Sequence, residues 1–495
     1  MIPNQDLLAD GIQVQSLIHD PRIVLSFPGQ KHGGTLEYPF SVLAEMVSPG
    51  NYFLESSIRP VFAFLTGFFA ACLYRTYFAR APRWSFLLAV GVGPTVLQGL
   101  AGPVENPVGV WWLNANYDIA WLLVIIGFWL LAREVTSTSM HRARAPRVWM
   151  FILTGLVVGL GFYQQPTSIL LILPMAVLFL LRFRISLRQL SILLLGGLIG
   201  IFPAILSYFL APITTWNPSH FPVFRPDLAL ASLGLDGVPN YAIALLPSAL
   251  GFAPATTIAI ARLQTIVSAL FLLSMLIFAL VGTVHALRRR SRVSEGTAIS
   301  VCWIAVAGSI VFFGIFVDPV WFYSAHLSIV LWMSIGILPQ LIRVKWISRA
   351  APVCICLVVA LSTLAQNGTG VVNLKERFSE KREYLSTLNA YASEMRKLDS
   401  RFLYGSYYDV LPIAYGSAGS LHPVSSTYNR FPLPDSALTG LEVVKVGIRI
   451  DPTDEWGITS LSEVRELCSA NARFVNGQLG RFQVFDCPVS ILGKR

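Results

Sequence analysis

The sequence predicts a polytopic α-helical membrane protein with about ten transmembrane helices and a small C-terminal extracytoplasmic α/β domain. Three observations carry that prediction. Of 495 residues, 54% are hydrophobic and only 13% are charged, whereas a soluble domain keeps about a quarter of its residues charged. The mean hydropathy is +0.61, and the apolar residues are gathered into runs of about 20, the length that crosses a bilayer. Arginine clusters follow alternate runs.

In chain order, spans are expected at roughly 61–79, 84–102, 116–132, 148–163, 167–182, 190–210, 265–287, 297–317, 320–342 and 350–366. Inside lipid only helices or closed barrels satisfy the backbone, and runs this continuous lack the alternation of a barrel. Arg75, Arg80 and Arg83 follow the first span; Arg133, Arg142, Arg144 and Arg147 the third; Arg182, Arg184 and Arg188 the fifth. Arg288, Arg289, Arg290 and Arg292 follow the seventh, and Arg343, Lys345 and Arg349 the ninth. The intervening segments 102–115 and 163–166 contain neither Lys nor Arg. By the positive-inside rule the arginine-rich loops are cytoplasmic, so residues 1–60, the 211–264 loop and the C-terminal tail face outward. The net charge of +10 is therefore topology and not a nucleic-acid footprint. Residues 1–20 lack the apolar core of a signal peptide. An exterior start with about ten spans leads us to expect one further helix upstream, giving about eleven spans and a cytoplasmic start.

This divides the chain into an extracytoplasmic first loop with amphipathic helices (1–60), a transmembrane helical domain with a large exterior loop at 211–264 (61–366), and an extracytoplasmic α/β domain (367–495). In "DLLADGIQVQSLI", Leu7, Leu8, Ile12, Val14, Leu17 and Ile18 form a helical stripe suited to a membrane surface, and "EYPFSVLAEMV" is a second candidate. "FPGQKHGG" between them is loop by its Pro and Gly content. Past residue 366, 375–398 reads as an exposed helix, "RFLYGSY" as a strand, "DVLPIAYGSAG" as a short helix and "LHPVSST" as a strand. "SLSEVRELCSAN" reads as a Ser-capped helix, and "RFVNGQLGRFQVFDC" as a hairpin turning near Asn476-Gly477 or Gly480. Cys72, Cys302, Cys354 and Cys356 fall in apolar spans as ordinary buried residues. Cys468 and Cys487 fall in the exterior tail, where a bridge and two free thiols stand as equal alternatives.

The residues that could carry chemistry concentrate in the first loop. Asp6 and Asp10 lie one helical turn apart and can share a face, and Gly11 permits close approach of another backbone. A solvated acidic turn would look the same, but Gln5, Gln30, Lys31, His32 and Glu37 belong to the same segment. A carboxylate beside amides and a cation near a membrane suits general-base attack by a hydroxyl on a lipid-anchored donor. Lys31 and His32 can pair with a phosphate or merely touch headgroups. Gly33-Gly34 allows tight packing or a phosphate nest. Glu37 could equally serve as a helix-start acid. At the next exterior edge stand Glu105, Asn116 and Asp118, beside Trp111, Trp112 and Tyr117, which also fit an interface belt. "FYQQP" at 162–166 is either the polar floor of a site or a simple hairpin. His220, Arg225 and Asp227 cluster in the long loop, with Arg225 a candidate phosphate ligand. Zinc spacing, Walker loop, dinucleotide fingerprint and nucleophile elbow are all missing from the sequence.

"QDLLADG", then "FPGQKHGGTLEY", then an amphipathic helix and "SIRPVFAFL" resemble the GT-C superfamily of polyprenyl-phosphate-sugar-dependent glycosyltransferases. The likeness is to bacterial relatives of protein mannosyltransferases and the lipid A aminoarabinose transferase. The resemblance gives Asp6 the catalytic position, with Gly11 five residues on. It gives Gln30, Gly33, Gly34 and Glu37 the positions of a second Gly-Gln-x-x-Gly-(Gly/Ser)-x-Glu element. "NYDIAWLLVIIGFWLL" is similar to the following exterior edge and places Asp118 at an acidic position there. "GLVVGLGFYQQPTSILLILPMAVLFLL" and "GGLIGIFPAILSYFL" resemble later spans. Leu7 stands where the family has an acid or amide.

The expectation is thus an inverting membrane glycosyltransferase that moves a sugar from a polyprenyl-phosphate donor to the hydroxyl of a glycan, lipid or protein acceptor at the outer face of a bacterial plasma membrane. Asp6 is the expected general base, and Lys31 or Arg225 stabilises the departing phosphate. Asp10, Gln30, Lys31, His32, Glu37, Asp118 and Arg225 are the expected substrate-binding residues. No cofactor is called for; a divalent metal stays open as an alternative, without a recognisable ligand set. The alternative is a transporter or lipid flippase, whose path Asp118 and "FYQQP" would line.

Overall fold

A computed structural model describes residues 5–19, 21, 23–25, 34–50, 58–77, 116–140, 147–183, 185–210, 266, 374–405, 407–425, 431, 440, 442–449, 468–477 and 480–490. The expected spans at 84–102, 297–317, 320–342 and 350–366, all of 265–287 but Ile266, and the whole 211–264 loop with Arg225, lie outside them. Seven helices precede the C-terminal unit among the described residues: α1 (Gln5–His19), α2 (Tyr38–Val47), α3 (Ile58–Tyr77), α4 (Asn116–Met140), α5 (Val148–Gln164), α6 (Ile169–Arg182) and α7 (Leu187–Leu210).

Helices α3 to α7 occupy five of the expected apolar runs. The windows Ile119–Thr136 of α4 and Leu187–Ser207 of α7 are long and apolar enough to cross a membrane, by length and composition; Phe64–Leu73, Val148–Gln164 and Pro166–Val177 are shorter apolar helical stretches. Helix α5 ends where Gln165 turns extended before Pro166, as the residue before a proline is pushed out of the helical region. A single 3-10 turn, Pro166–Ser168, then leads into α6.

Helix α5 packs on α4 on one side and α7 on the other. The α5–α7 contact is made by glycines. A Cβ on Gly155 would overlap the carbonyl oxygen of Leu193, one on Gly159 that of Gly197, one on Gly196 that of Ile152, and one on Gly200 that of Leu156. Gly155-x-x-x-Gly159 and Gly196-x-x-x-Gly200 thus form facing rows of small residues that let two backbones touch, the small-xxx-small device of helix pairs in lipid.

The C-terminal unit holds α8 (Leu374–Lys397), β1 (Phe402–Gly405), α9 (Tyr407–Gly416), β2 (His422–Ser425), β3 (Val443–Arg449), β4 (Ser469–Gly477) and β5 (Gly480–Pro488). The sheet order is β2-β1-β3-β5-β4. Strand β1 runs parallel to β2 and β3, while β5 is antiparallel to β3 and to β4. Gly477 pairs with Gly480 where the β4–β5 hairpin closes. Strand β3 is absent from the sequence reading, although Val444, Val446 and Ile448 are buried on its inner side. Conversely Ser469–Asn471, read as the end of a helix, belong to β4; the Cys468 bridge and pairing with β5 outweigh helix preference there. Cys468 and Cys487 form a disulfide, which resolves the two alternatives. His422 holds its Nε2 2.9 Å from the Phe431 carbonyl, and burial pushes its imidazole below the ordinary value of 6.5 against that hydrogen bond.

Candidate active site

The two ends of the first loop are fastened to different partners. Around residue 34 the chain is clamped onto the C-terminal end of α5. The Gly34 N–H donates to the Gln164 carbonyl at 2.9 Å, and the Leu36 N–H to Gln164 Oε1 at 2.9 Å. Gln164 Nε2 donates in turn to Glu37 Oε2. Gln164 and Glu37 are both buried, and a buried carboxylate without donors would cost several kcal/mol, about 2–7 even for an uncharged polar group. Gly34 has no room for a side chain: an added Cβ would lie 2.6 Å from Gln164 Oε1 and 2.8 Å from its Cα. This assigns Gly34 to tight packing.

Upstream, Thr35 Oγ1 donates to the Val24 carbonyl at 2.7 Å, and the Tyr163 hydroxyl to the Leu25 carbonyl at 3.0 Å. Each hydroxyl spends its one proton on a backbone acceptor, so the 3.3 Å Thr35–Tyr163 contact is a packing contact in this arrangement. Both strands of the loop, at 24–25 and at 34–37, therefore rest on the Tyr163-Gln164 end of α5. Leu36 also packs against Phe62, Ile119 and Leu122 of α3 and α4. Gln30, Lys31, His32 and Gly33, between these strands, lie outside the described residues.

Helix α1 behaves differently from the surface helix expected. Leu8, Ala9, Ile12 and Val14 are buried, and the first three join one core with Leu388 of α8 and Leu411 and Tyr415 of α9. The apolar stripe was legible; that the C-terminal unit covers it was not. Asp6 sits in the first turn of α1, and Asp118 in the first turn of α4; their side chains lie outside those described. Asp10 is buried and accepts the Tyr38 hydroxyl at 3.0 Å, which ties α1 to α2.

Helix α2 has its polarity reversed. It buries Tyr38, Ser41 and Glu45, and it exposes Phe40 (43%), Leu43 (61%), Met46 (66%) and Val47 (77%). Glu45 is the residue that sequence reasoning passed over. It accepts the Tyr415 hydroxyl at 2.5 Å, the Gly50 N–H at 2.8 Å and the Gln15 amide at 3.3 Å. Its signal in the sequence was an acid on the polar side of a helix whose other side is strongly apolar.

The arrangement thus gathers Asp10 and Glu37, with the backbone of Asp6, into one segment pinned between the apolar helices and the C-terminal unit. No cluster of three or more His, Cys, Asp or Glu side chains suited to a metal occurs among the described residues. The chain matches no family model, no curated protein and no solved structure.

Proposed function

We propose that the chain is an integral-membrane glycosyltransferase that moves a sugar from a polyprenyl-phosphate donor to an acceptor hydroxyl at the extracytoplasmic face. The observation that carries the reading is the clamp of Glu37 and Gly34 on Gln164. It holds an acid-rich segment at the end of an apolar helix, where a lipid-borne donor presents its headgroup.

Three further observations support the membrane setting. The Leu187–Ser207 window of α7 is only 17% buried, whereas an apolar helix in a soluble core would be covered. Leu194, Leu198, Phe202, Ile205 and Phe209 are all exposed along α7, a surface that lipid tolerates and water does not. The reversed polarity of α2 suits a helix lying in the headgroup boundary. The Cys468–Cys487 bridge suits an oxidising compartment, which supports an exterior C-terminal unit.

In the mechanism, Asp6 takes the proton from the acceptor hydroxyl as that oxygen attacks the anomeric carbon. The bond from that carbon to the phosphate oxygen breaks, and the polyprenyl phosphate leaves with the electron pair. A cation such as Lys31 or Arg225 stabilises the charge that develops on the departing phosphate. Asp10 and Glu37 act by holding α1, α2 and the clamp in place. Within α3–α7 the charged residues other than Arg133 and Glu134 of α4 fall in the first or last turn of their helix, a distribution that favours the enzyme over a transporter, which needs a polar path through the middle of several spans.

The test is lipid-linked. Purified full-length chain in nanodiscs, given polyprenyl-phosphate sugars and a membrane glycan acceptor fraction, is expected to release polyprenyl phosphate in step with sugar incorporation. Donor transported across sealed vesicles without release of polyprenyl phosphate would replace this reading with the flippase.

A further inference from the structure

Helix α1 is fixed by the far end of the chain. Gly11 lies under the Tyr415 ring so closely that an added Cβ would overlap its edge carbons. The Tyr415 hydroxyl reaches across to Glu45 Oε1 at 2.5 Å, and the Tyr415 carbonyl accepts the Gln15 amide of α1 at 3.1 Å. The same Gln15 amide also donates to Glu45 Oε2 at 3.3 Å. One residue of α9 therefore contacts α1 by ring, by carbonyl and, through Glu45, by hydroxyl. Gln15, Glu45 and Tyr415 are all buried.

Apolar packing alone would seat α1 on α8 and α9 but leaves rotation and sliding about its axis cheap. A buried polar network costs desolvation and pays it back only at one geometry, so it specifies orientation. We infer that Tyr415 and Glu45 are positioning residues: the C-terminal unit sets the rotation and height of α1, and hence of the acid at its first turn. This rests on the proposed role of Asp6 and extends it, making the sheet-bearing unit part of the catalytic machinery and not an appended acceptor domain. A displacement of about 1 Å in a reacting group can cost about 10²-fold in rate.

The experiment uses the full chain in nanodiscs with a polyprenyl-phosphate sugar donor. Tyr415→Phe keeps the ring over Gly11 and removes only the hydroxyl. It is expected to lower kcat by about 10- to 10²-fold with the donor KM unchanged, and to speed amide hydrogen exchange along residues 8–18. The double variant Tyr415→Phe with Glu45→Gln removes the buried carboxylate charge that has lost its hydroxyl donor and keeps an acceptor oxygen for the Gly50 N–H and the Gln15 amide. Thermal stability is expected to return while kcat stays low. Recovery of kcat together with stability in the double variant would reduce the network to a structural role and overturn the inference, as would a Tyr415→Phe chain with wild-type kcat. A wild-type chain that transfers no sugar fails the proposed function itself; Tyr415→Phe with faster α1 exchange but normal turnover fails only the positioning role.

Discussion

Asp6→Asn is expected to reduce sugar transfer by about 10²–10⁴-fold, the range that a positioned general base supplies, while membrane insertion and yield stay unchanged. Asn has nearly the same shape but cannot hold the acceptor proton at neutral pH. Asp6 lies in the first turn of α1, where a negative charge is favoured by the helix dipole by only about 0.3–1 kcal/mol, so the fold tolerates the change. The contrast with Asp10 makes the prediction specific. Asp10 is buried under Tyr38, and an Asn there keeps an acceptor oxygen for that hydroxyl, so Asp10→Asn should retain most of its turnover. Steady-state transfer for the two variants, normalised to inserted protein, checks both. Equal losses at the two positions would mean that α1 is merely being unfolded.

The largest structural effect is expected at the glycine contact between α5 and α7. Gly159→Leu drives a side chain into the backbone of Gly197 and Gly200, and no rotamer relieves a clash with a carbonyl. The helices must part, at a cost of about 3 kcal/mol, the upper end for overpacking. Since α5 carries Tyr163 and Gln164 at its end, the first loop should loosen with it. Gly197→Ala is the matched control. Its added Cβ would meet nothing closer than the Gly155 carbonyl oxygen at 3.8 Å, so stability should stay within about 0.5 kcal/mol of the parent. Thermal unfolding of the two variants in detergent is the measurement; equal midpoints would show that the close contact does not hold the pair.

How much of this was legible depends on the range of the interaction. The apolar helices could be read because their signal is local: runs of uniform hydropathy bounded by Arg or Pro. The facing glycine rows of α5 and α7 were readable too, since Gly155, Gly159, Gly196 and Gly200 keep a four-residue spacing, but single-span reading overlooks a feature that exists only as a pair. Strand β3 escaped notice because Lys445 and Gly447 interrupt its apolar run; its central place in the sheet comes from β1 and β5 on either side. The covering of α1 was the least accessible. Its stripe announces that something must bury it, but Gln15 finds Tyr415 across 400 residues of sequence. "FYQQP" reads as floor or hairpin, and it is Gln164 whose carbonyl, amide oxygen and amide nitrogen grip the loop. Glu37 reads as a substrate ligand from the sequence, and the structure adds that its carboxylate meets Gln164, a neighbour that only three dimensions supply.

The most direct measurement is the stereochemistry of the transferred sugar. With a donor of defined anomeric configuration and product analysed by NMR before mutarotation or exchange, one displacement assisted by a lone carboxylate must invert the anomeric centre. Inverted product, lost in Asp6→Asn, is the result expected. Product with the donor's configuration would require a covalent sugar–enzyme intermediate and a second carboxylate in attack, and would contradict the role given to Asp6.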